Sequence, residues 1–224
     1  MNKVLEDWET IRSGLDGNRV AQAVRVLQRG GVVGYPSETV WGLAAWPASR
    51  AAVERLYTLK GREANKPVQL SCLDMQRARG WLRPGQDELE HLTVFWPGPL
   101  TVLAWATEGC PDWLAPGGVV GVRIPSHPVI QVLLAAAGGT LATTSLNPSG
   151  LPAASTREQA GGYALADLLL FPARVSSSAH LDNSGPGISG LGISGLASTV
   201  FDLRTRRVLR QGAISQAELL AALS

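Results

Sequence analysis

Apolar residues return with helical spacing over 18–28, where Val20, Ala23, Val24 and Leu27 share a face, and Gly30-Gly31 closes the run as a C-terminal stop. Positions 32–35, Val-Val-Gly-Tyr, then read as a short buried strand running into Pro36. Ser49 is placed to cap a second helix with Ala52, Val53, Leu56 and Tyr57 on one side; that helix ends near Lys60-Gly61, and 67–72 reads as the next strand. Further along, the pattern predicts helices over 87–95, 127–137, 157–165 and 216–223. It predicts strands over 101–106, 119–124, 140–145 and 168–171, with paired strands at 199–203 and 207–209. Strands alternating with helices imply an α/β fold, and the closing hairpin makes its sheet mixed. The expectation is one domain over 15–215, with a short extension at 1–14 and a last helix of the same domain at 216–224.

A chain of 224 residues buries roughly 70% of its unfolded surface and needs no disulfide or metal staple. With 45% hydrophobic residues and a net charge of +2, disorder is excluded. Charge alone gives no grip on nucleic acid, which takes clustered Lys and Arg, and the densest basic run, Arg204-Thr205-Arg206-Arg207, is short. Cys72 and Cys110 form neither a CxxC pair nor a metal-type cluster with His91, His127 or His180, and read as buried or half-buried thiols of a reducing compartment. The most apolar stretch, 129–146, is broken by Gly138-Gly139 and a Thr-Thr-Ser run, and the acidic N-terminus lacks a signal-peptide core. No membrane contact is expected, and the expected location is the cytoplasm.

Three polar clusters fall at the ends of predicted elements. The chain has only three lysines, Lys3, Lys60 and Lys66, and two of them flank Arg62 in a Gly-containing loop after a helix. Point-charge ammonium groups beside a forked guanidinium suit a polyphosphate, though the same cations also complement a helix dipole, and spacing does not separate the two. The run 143–150, Thr-Thr-Ser-Leu-Asn-Pro-Ser-Gly, follows an apolar strand and reads either as a ligand-binding strand end or as a turn that caps itself. The run 35–43, Tyr-Pro-Ser-Glu-Thr-Val-Trp-Gly-Leu, also follows a strand. Residues 184–196 repeat Gly-Ile-Ser-Gly-Leu and match GxGxxG at Gly185, Gly187 and Gly190. No strand precedes that match and no helix follows it, so it reads as a flexible loop rather than a dinucleotide fingerprint. Walker-type, HExxH and GxSxG motifs are absent.

Taken in order, Tyr35 to Leu43, Lys60-Gly61-Arg62, Phe95 to Thr101, Val122 to Pro128, Ser145-Leu146-Asn147 and Ser149-Gly150 resemble the threonylcarbamoyl-AMP synthases of the YrdC-like fold. The KxR…SxN signature of that family is met by Lys60, Arg62, Ser145 and Asn147, and the resemblance covers about residues 15–215. It implies a single-domain, twisted mixed β-sheet with flanking helices and a concave, positively charged face.

The resemblance further implies a reaction in which L-threonine, bicarbonate or CO2 and ATP, with Mg2+, give L-threonylcarbamoyl-AMP and pyrophosphate. The product would feed t6A formation at position 37 of tRNA through a separate transferase complex. By the same resemblance Lys60 and Arg62 act on the phosphates, and ATP is held by them with Lys66, Ser145, Asn147 and Arg210. Thr39 and Ser198 would hold threonine, while Arg123 would serve the substrate carboxylate or a phosphate. The sequence departs from relatives at Ser37 (for Thr), Ser71 (for a His near threonine), Ala153 (for a Ser) and the Gly-rich 184–196, which reads as a loop able to close over the site. Two other readings compete. One is a non-catalytic module holding tRNA or double-stranded RNA, which has no need of the hydroxyls of Thr39 and Ser198. The other is carbamoyl transfer of the hydrogenase-maturation type, whose proteins carry this domain within a much longer chain.

Overall fold

A computed structural model describes residues 14–61, 68–172 and 192–224. The first helix, α1 (Gly17–Gln28), is capped by the Asp16 carboxylate and buries Val20, Ala23 and Leu27. Strands β1 (Val33–Tyr35) and β2 (Gly42–Ala45) follow, then α2 (Arg50–Lys60), capped at its start by the Ser49 hydroxyl and at its end by Gly61 at φ 59. Next come β3 (Gln69–Cys72), a short α3 (Met75–Arg79), a 3-10 helix (Asp87–Phe95), β4 (Leu100–Trp105) and β5 (Val119–Arg123). The chain closes with α4 (Pro128–Ala136), β6 (Thr140–Ser145), α5 (Arg157–Tyr163), β7 (Leu168–Leu169), β8 (Thr199–Asp202), β9 (Arg207–Arg210) and α6 (Gln216–Ala222).

All nine strands join one sheet in the order β7-β1-β2-β6-β3-β5-β4-β8-β9. Pairings β1/β7, β3/β5 and β4/β8 are parallel and the others antiparallel, so the sheet is mixed as expected. The structure adds β2 and α3, which the apolar pattern did not announce, and it turns the expected helix over 87–95 into a 3-10 helix. Only two residues of the expected strand 168–171 pair.

One face of the sheet carries the larger core: Leu43, Leu70, Val102, Val120, Val122, Ala142 and Phe201 pack under Ala52, Val53 and Leu56 of α2. On the opposite face α1 and α4 cover only part of the sheet, meeting Val33 and Tyr35 of β1, Ala44 of β2 and Leu141 of β6. Side chains alternate along a strand. Gln69 and Ser71 of β3, Thr101 of β4, Gly121 and Arg123 of β5, and Thr143 of β6 interleave with core residues and therefore share this second face. It is apolar under two helices and polar beyond them.

Two glycines shape the polar part. Gly42 pairs with Tyr35, and a Cβ at Gly42 would lie 2.5 Å from Tyr35 Cζ, so the ring crosses β2 where that strand has no side chain. Gly42→Ala is expected to lower stability by about 1–3 kcal/mol through this overlap, read as a lower urea midpoint with unchanged slope. Gly121 pairs with Gln69, and its Cβ would lie 3.6 Å from Gln69 Cβ, 3.6 Å from Thr101 Cγ2 and 3.0 Å from Leu103 Cδ2.

Candidate active site

The polar floor is a chain of hydroxyls laid across the strands. Ser71 Oγ and Thr143 Oγ1 are 2.8 Å apart, and Thr143 Oγ1 also donates to the Gln69 carbonyl at 3.4 Å. Burial pushes the Tyr35 phenol above its ordinary pKa, and hydrogen bonding to Thr143 and Ser71 offsets only part of that, so it stays a neutral phenol among them. Toward the other edge, Arg210 Nη2 donates to Ser198 Oγ at 2.9 Å and Arg210 Nε to the Ser198 carbonyl at 3.0 Å. Ser198 Oγ lies 3.0 Å from Thr101 Oγ1, which donates to Gln69 Oε1 at 2.7 Å.

Above this floor the β1–β2 turn delivers Ser37, Glu38 and Thr39. Ser37 Oγ donates to the Val40 carbonyl at 2.6 Å and sits 2.8 Å from Thr39 Oγ1, which fixes the turn. Arg123 Nη2 reaches Glu38 Oε1 at 2.7 Å and Thr39 Oγ1 at 3.1 Å, while its Nε donates to the Gly98 carbonyl at 3.2 Å. The Glu38 carboxylate also accepts the backbone N–H groups of Ser126 and His127. Burial alone would raise its pKa, but the Arg123 charge and hydrogen bond, with the Ser126 N–H, hold it below the ordinary carboxylate value. The pair is nearly dry, with side chains 6% and 11% exposed. Glu38 thus ties the β1–β2 turn to the start of α4 and aims Arg123 at Thr39. The motif contained it, but sequence reading assigned it no role.

A second centre lies at the end of β6. Lys60, 5% exposed, donates through Nζ to the Ser145 carbonyl at 2.6 Å, the Asn147 carbonyl at 2.9 Å and Asn147 Oδ1 at 2.7 Å, with Ser145 Oγ at 3.3 Å. Ser145 Oγ donates to Asn147 Oδ1 at 2.6 Å, Asn147 Nδ2 donates to the Leu151 carbonyl at 2.7 Å, and the Ser149 N–H returns to the Lys60 carbonyl at 2.7 Å. The lysine is therefore the pin of the Ser-x-Asn turn. Thr143 of the floor and Ser145 of this knot are two residues apart on one strand, about 7 Å.

The strand expected over 140–145 is borne out as β6, and the chain turns after it. Thr143, Thr144 and Ser145 belong to β6 itself, and the hydroxyls of Thr143 and Ser145 are bonded across strands and to the Lys60 knot. Arg62, Lys66 and most of the Gly-rich segment lie outside the described residues. Its last part does not behave as a loose loop: Ile193 is buried, the Ser194 N–H donates to the Glu38 carbonyl and the Gly195 N–H to the Thr39 carbonyl. Trp41 is fully buried in the main core, and Trp96 donates its indole N–H to the Leu100 carbonyl, so both motif tryptophans are framework. The arginine hairpin is answered by acids, Arg204 by Asp202 and Arg206 by Glu88. Burial pushes the Cys72 thiol up to about 12 and the Cys110 thiol up to about 11, which leaves both as thiols at neutral pH. Among the described residues no helix is long and apolar enough to cross a membrane, and no group of three or more His, Cys, Asp or Glu could hold a metal ion.

A mixed sheet with one face half sealed by helices and half left as a hydroxyl and arginine floor, pinned at one strand end by a buried lysine, places the chain in the YrdC-like α/β class. The same fold is seen in Escherichia coli YciO, with a TM-score of 0.75 and 23% identity over 91% of this chain and 94% of that one. It is also seen in P. abyssi Sua5 complexed with L-threonine, with a TM-score of 0.76 and 26% identity over 91% of this chain, which spans 56% of that longer protein. The family model described as telomere recombination, Sua5/YciO/YrdC, matches residues 25–169, and the chain belongs to that family. The threonylcarbamoyl-AMP synthase of Nitrosococcus oceani is 35% identical over 194 residues, covering 86% of this chain and 97% of that protein. The one from Halorhodospira halophila is 40% identical over 143 residues, covering 62% and 75%.

Proposed function

We propose that this chain is a threonylcarbamoyl-AMP synthase, converting L-threonine, bicarbonate or CO2 and ATP into L-threonylcarbamoyl-AMP and pyrophosphate. The threonine amine adds to CO2 and loses a proton, giving a carbamate; a carbamate oxygen then attacks the α-phosphorus of ATP, and pyrophosphate leaves. The nucleophile is already anionic, so the residues need supply no strong base. They must hold two anions together and stabilise charge on the phosphate oxygens. Thr39, Ser198 and Arg123 form the amino-acid end, where two hydroxyls meet a small polar ligand and the guanidinium faces its carboxylate. Lys60 with Arg62 and Lys66, and Ser145 with Asn147, form the nucleotide end. Mg2+ enters with ATP as part of the substrate, held by its phosphates. Arg210, expected at the nucleotide, also holds Ser198 through its Nη2 and Nε and so steadies the amino-acid end.

The observation that carries this reading is the buried Lys60 that pins the Ser-x-Asn turn at the end of β6, about 7 Å along that strand from the Thr143 hydroxyl of the polar floor. The names of the relatives and the threonine complex of the P. abyssi protein support it. Delivery of the product to a tRNA-modifying transferase complex, and contact with tRNA itself, belong to the same proposal.

The test is pyrophosphate release from Mg2+–ATP in bicarbonate buffer, with L-threonine, L-serine or no amino acid. Release at least tenfold faster with threonine than without amino acid is expected. Folded protein that releases none under any condition would overturn the synthase reading in favour of an RNA-holding module.

A further inference from the structure

Gln69 sits on the open face, on β3 between Gly121 of β5 and Thr143 of β6, and is only half buried. Its side chain does not stay over its own strand. It passes above Gly121 and reaches Thr101 on β4, where Oε1 accepts the Thr101 hydroxyl at 2.7 Å. Thr101 spends its proton on Gln69 Oε1, so Thr101 Oγ1 accepts from Ser198 Oγ, 3.0 Å away, and Ser198 Oγ accepts from Arg210 Nη2, since a guanidinium can only donate. With its oxygen on Thr101, the Gln69 side chain has an NH2 group, two donors, that makes no hydrogen bond among the described residues.

We propose that Gln69 is a substrate-binding residue, whose NH2 group donates to an oxygen of an acceptor-only group of the amino-acid substrate, the carboxylate or the carbamate formed from its amine. Thr101, which holds the Gln69 oxygen, is a positioning residue. This inference rests on the proposed synthase reading and deepens it. Two features define the ligand class. Gln69 lies on the same face as Ser71 and Thr143 on one side and Thr101 and Ser198 on the other, and its carboxamide is neutral, so it offers donors without neutralising a phosphate.

The experiment measures KM for L-threonine, KM for ATP and kcat in native protein and in Gln69→Glu, Gln69→Leu and Thr101→Val. Gln69→Glu keeps an acceptor for Thr101 but replaces the donors by a carboxylate that repels the substrate. It is expected to raise KM for threonine roughly tenfold to hundredfold, in the range of a lost hydrogen bond to a charged group, with KM for ATP within twofold. Gln69→Leu is expected to raise KM for threonine by about tenfold and Thr101→Val by less, because the carboxamide remains but turns freely. An unchanged KM for ATP separates lost binding from a damaged fold. If native protein shows threonine-dependent turnover and both Gln69 variants keep KM for threonine within twofold, this inference fails while the synthase reading stands. An equal rise in both KM values also overturns it, as general damage to the sheet. If native protein shows no threonine-dependent turnover, the synthase reading fails and takes this one with it.

Discussion

Lys60→Met is expected to cut threonine-dependent pyrophosphate release by about 10²–10³-fold, the usual cost of losing one well-placed donor to developing negative charge. Two effects add in the same direction. The ammonium is the cation of the KxR motif held at the Ser-x-Asn turn, so its loss lowers the positive potential at the proposed nucleotide end. It also supplies protons to the Ser145 carbonyl, the Asn147 carbonyl and Asn147 Oδ1, all within 2.9 Å, and these acceptors lose that donor in the variant, Asn147 Oδ1 keeping the Ser145 hydroxyl. Orphaned buried acceptors cost about 1–3 kcal/mol, so the urea midpoint should fall as well. Methionine fills most of the lysine volume, which keeps the comparison about charge and hydrogen bonds. Lys60→Arg separates the two effects: it keeps the charge but brings a planar fork to a site built for a compact ammonium, and is expected to remain folded with activity reduced at least tenfold. Lys60→Met within tenfold of native turnover would remove Lys60 from the phosphate chemistry and leave it as a structural pin.

The largest stability effect is expected at Arg123. Glu38 and Arg123 are nearly excluded from water, and Arg123→Met leaves the carboxylate with backbone N–H donors alone. Breaking a buried pair by removing one partner costs roughly 3–5 kcal/mol, a large share of a domain's stability. The pH dependence should change sign with it. In native protein the Glu38 pKa lies below its unfolded value of 4.5, so its contribution is fully present above that pH and drains away as pH falls through the lower folded value. Without Arg123 the burial penalty dominates and the folded pKa rises above 4.5, so the variant is most favoured below that pH and loses stability as pH climbs past it. Urea titrations between about pH 4 and 6 read this directly as slopes of opposite sign. Equal slopes would show that the backbone donors, and not Arg123, keep Glu38 charged. The variant should also bind threonine poorly, since Thr39 Oγ1 loses its guanidinium partner.

Much of this was legible because ordered polar motifs follow strands, and strands with regular apolar content announce themselves. The paired strands near the C-terminus, the Ser49 cap and the end of α2 at Lys60-Gly61 all follow from local chemistry. β2 was hidden because Gly-Leu-Ala-Ala has little intrinsic strand preference; its place comes from being enclosed between β1 and β6. The strand over 140–145 was legible, but that the Thr143 hydroxyl belongs to a polar floor shows only in its cross-strand partner Ser71. The role of Glu38 depends on an arginine 85 residues away, a distance no local pattern spans. Gln69 reads as an ordinary strand residue, and its hydrogen bond to Thr101, 32 residues away, is beyond any local pattern.

The paired crossings, Tyr35 over Gly42 and Gln69 over Gly121, also bear on how this site could change over generations. At 42 the Tyr35 ring occupies the space of the missing side chain, so positions 35 and 42 are epistatic. A drift from glycine to alanine at 121 presses on Leu103 Cδ2 at 3.0 Å, with Gln69 Cβ in ordinary contact at 3.6 Å, and is tolerated more readily once residue 103 has shortened. The order of mutations, and not only their sum, therefore decides which variants of this site are reachable.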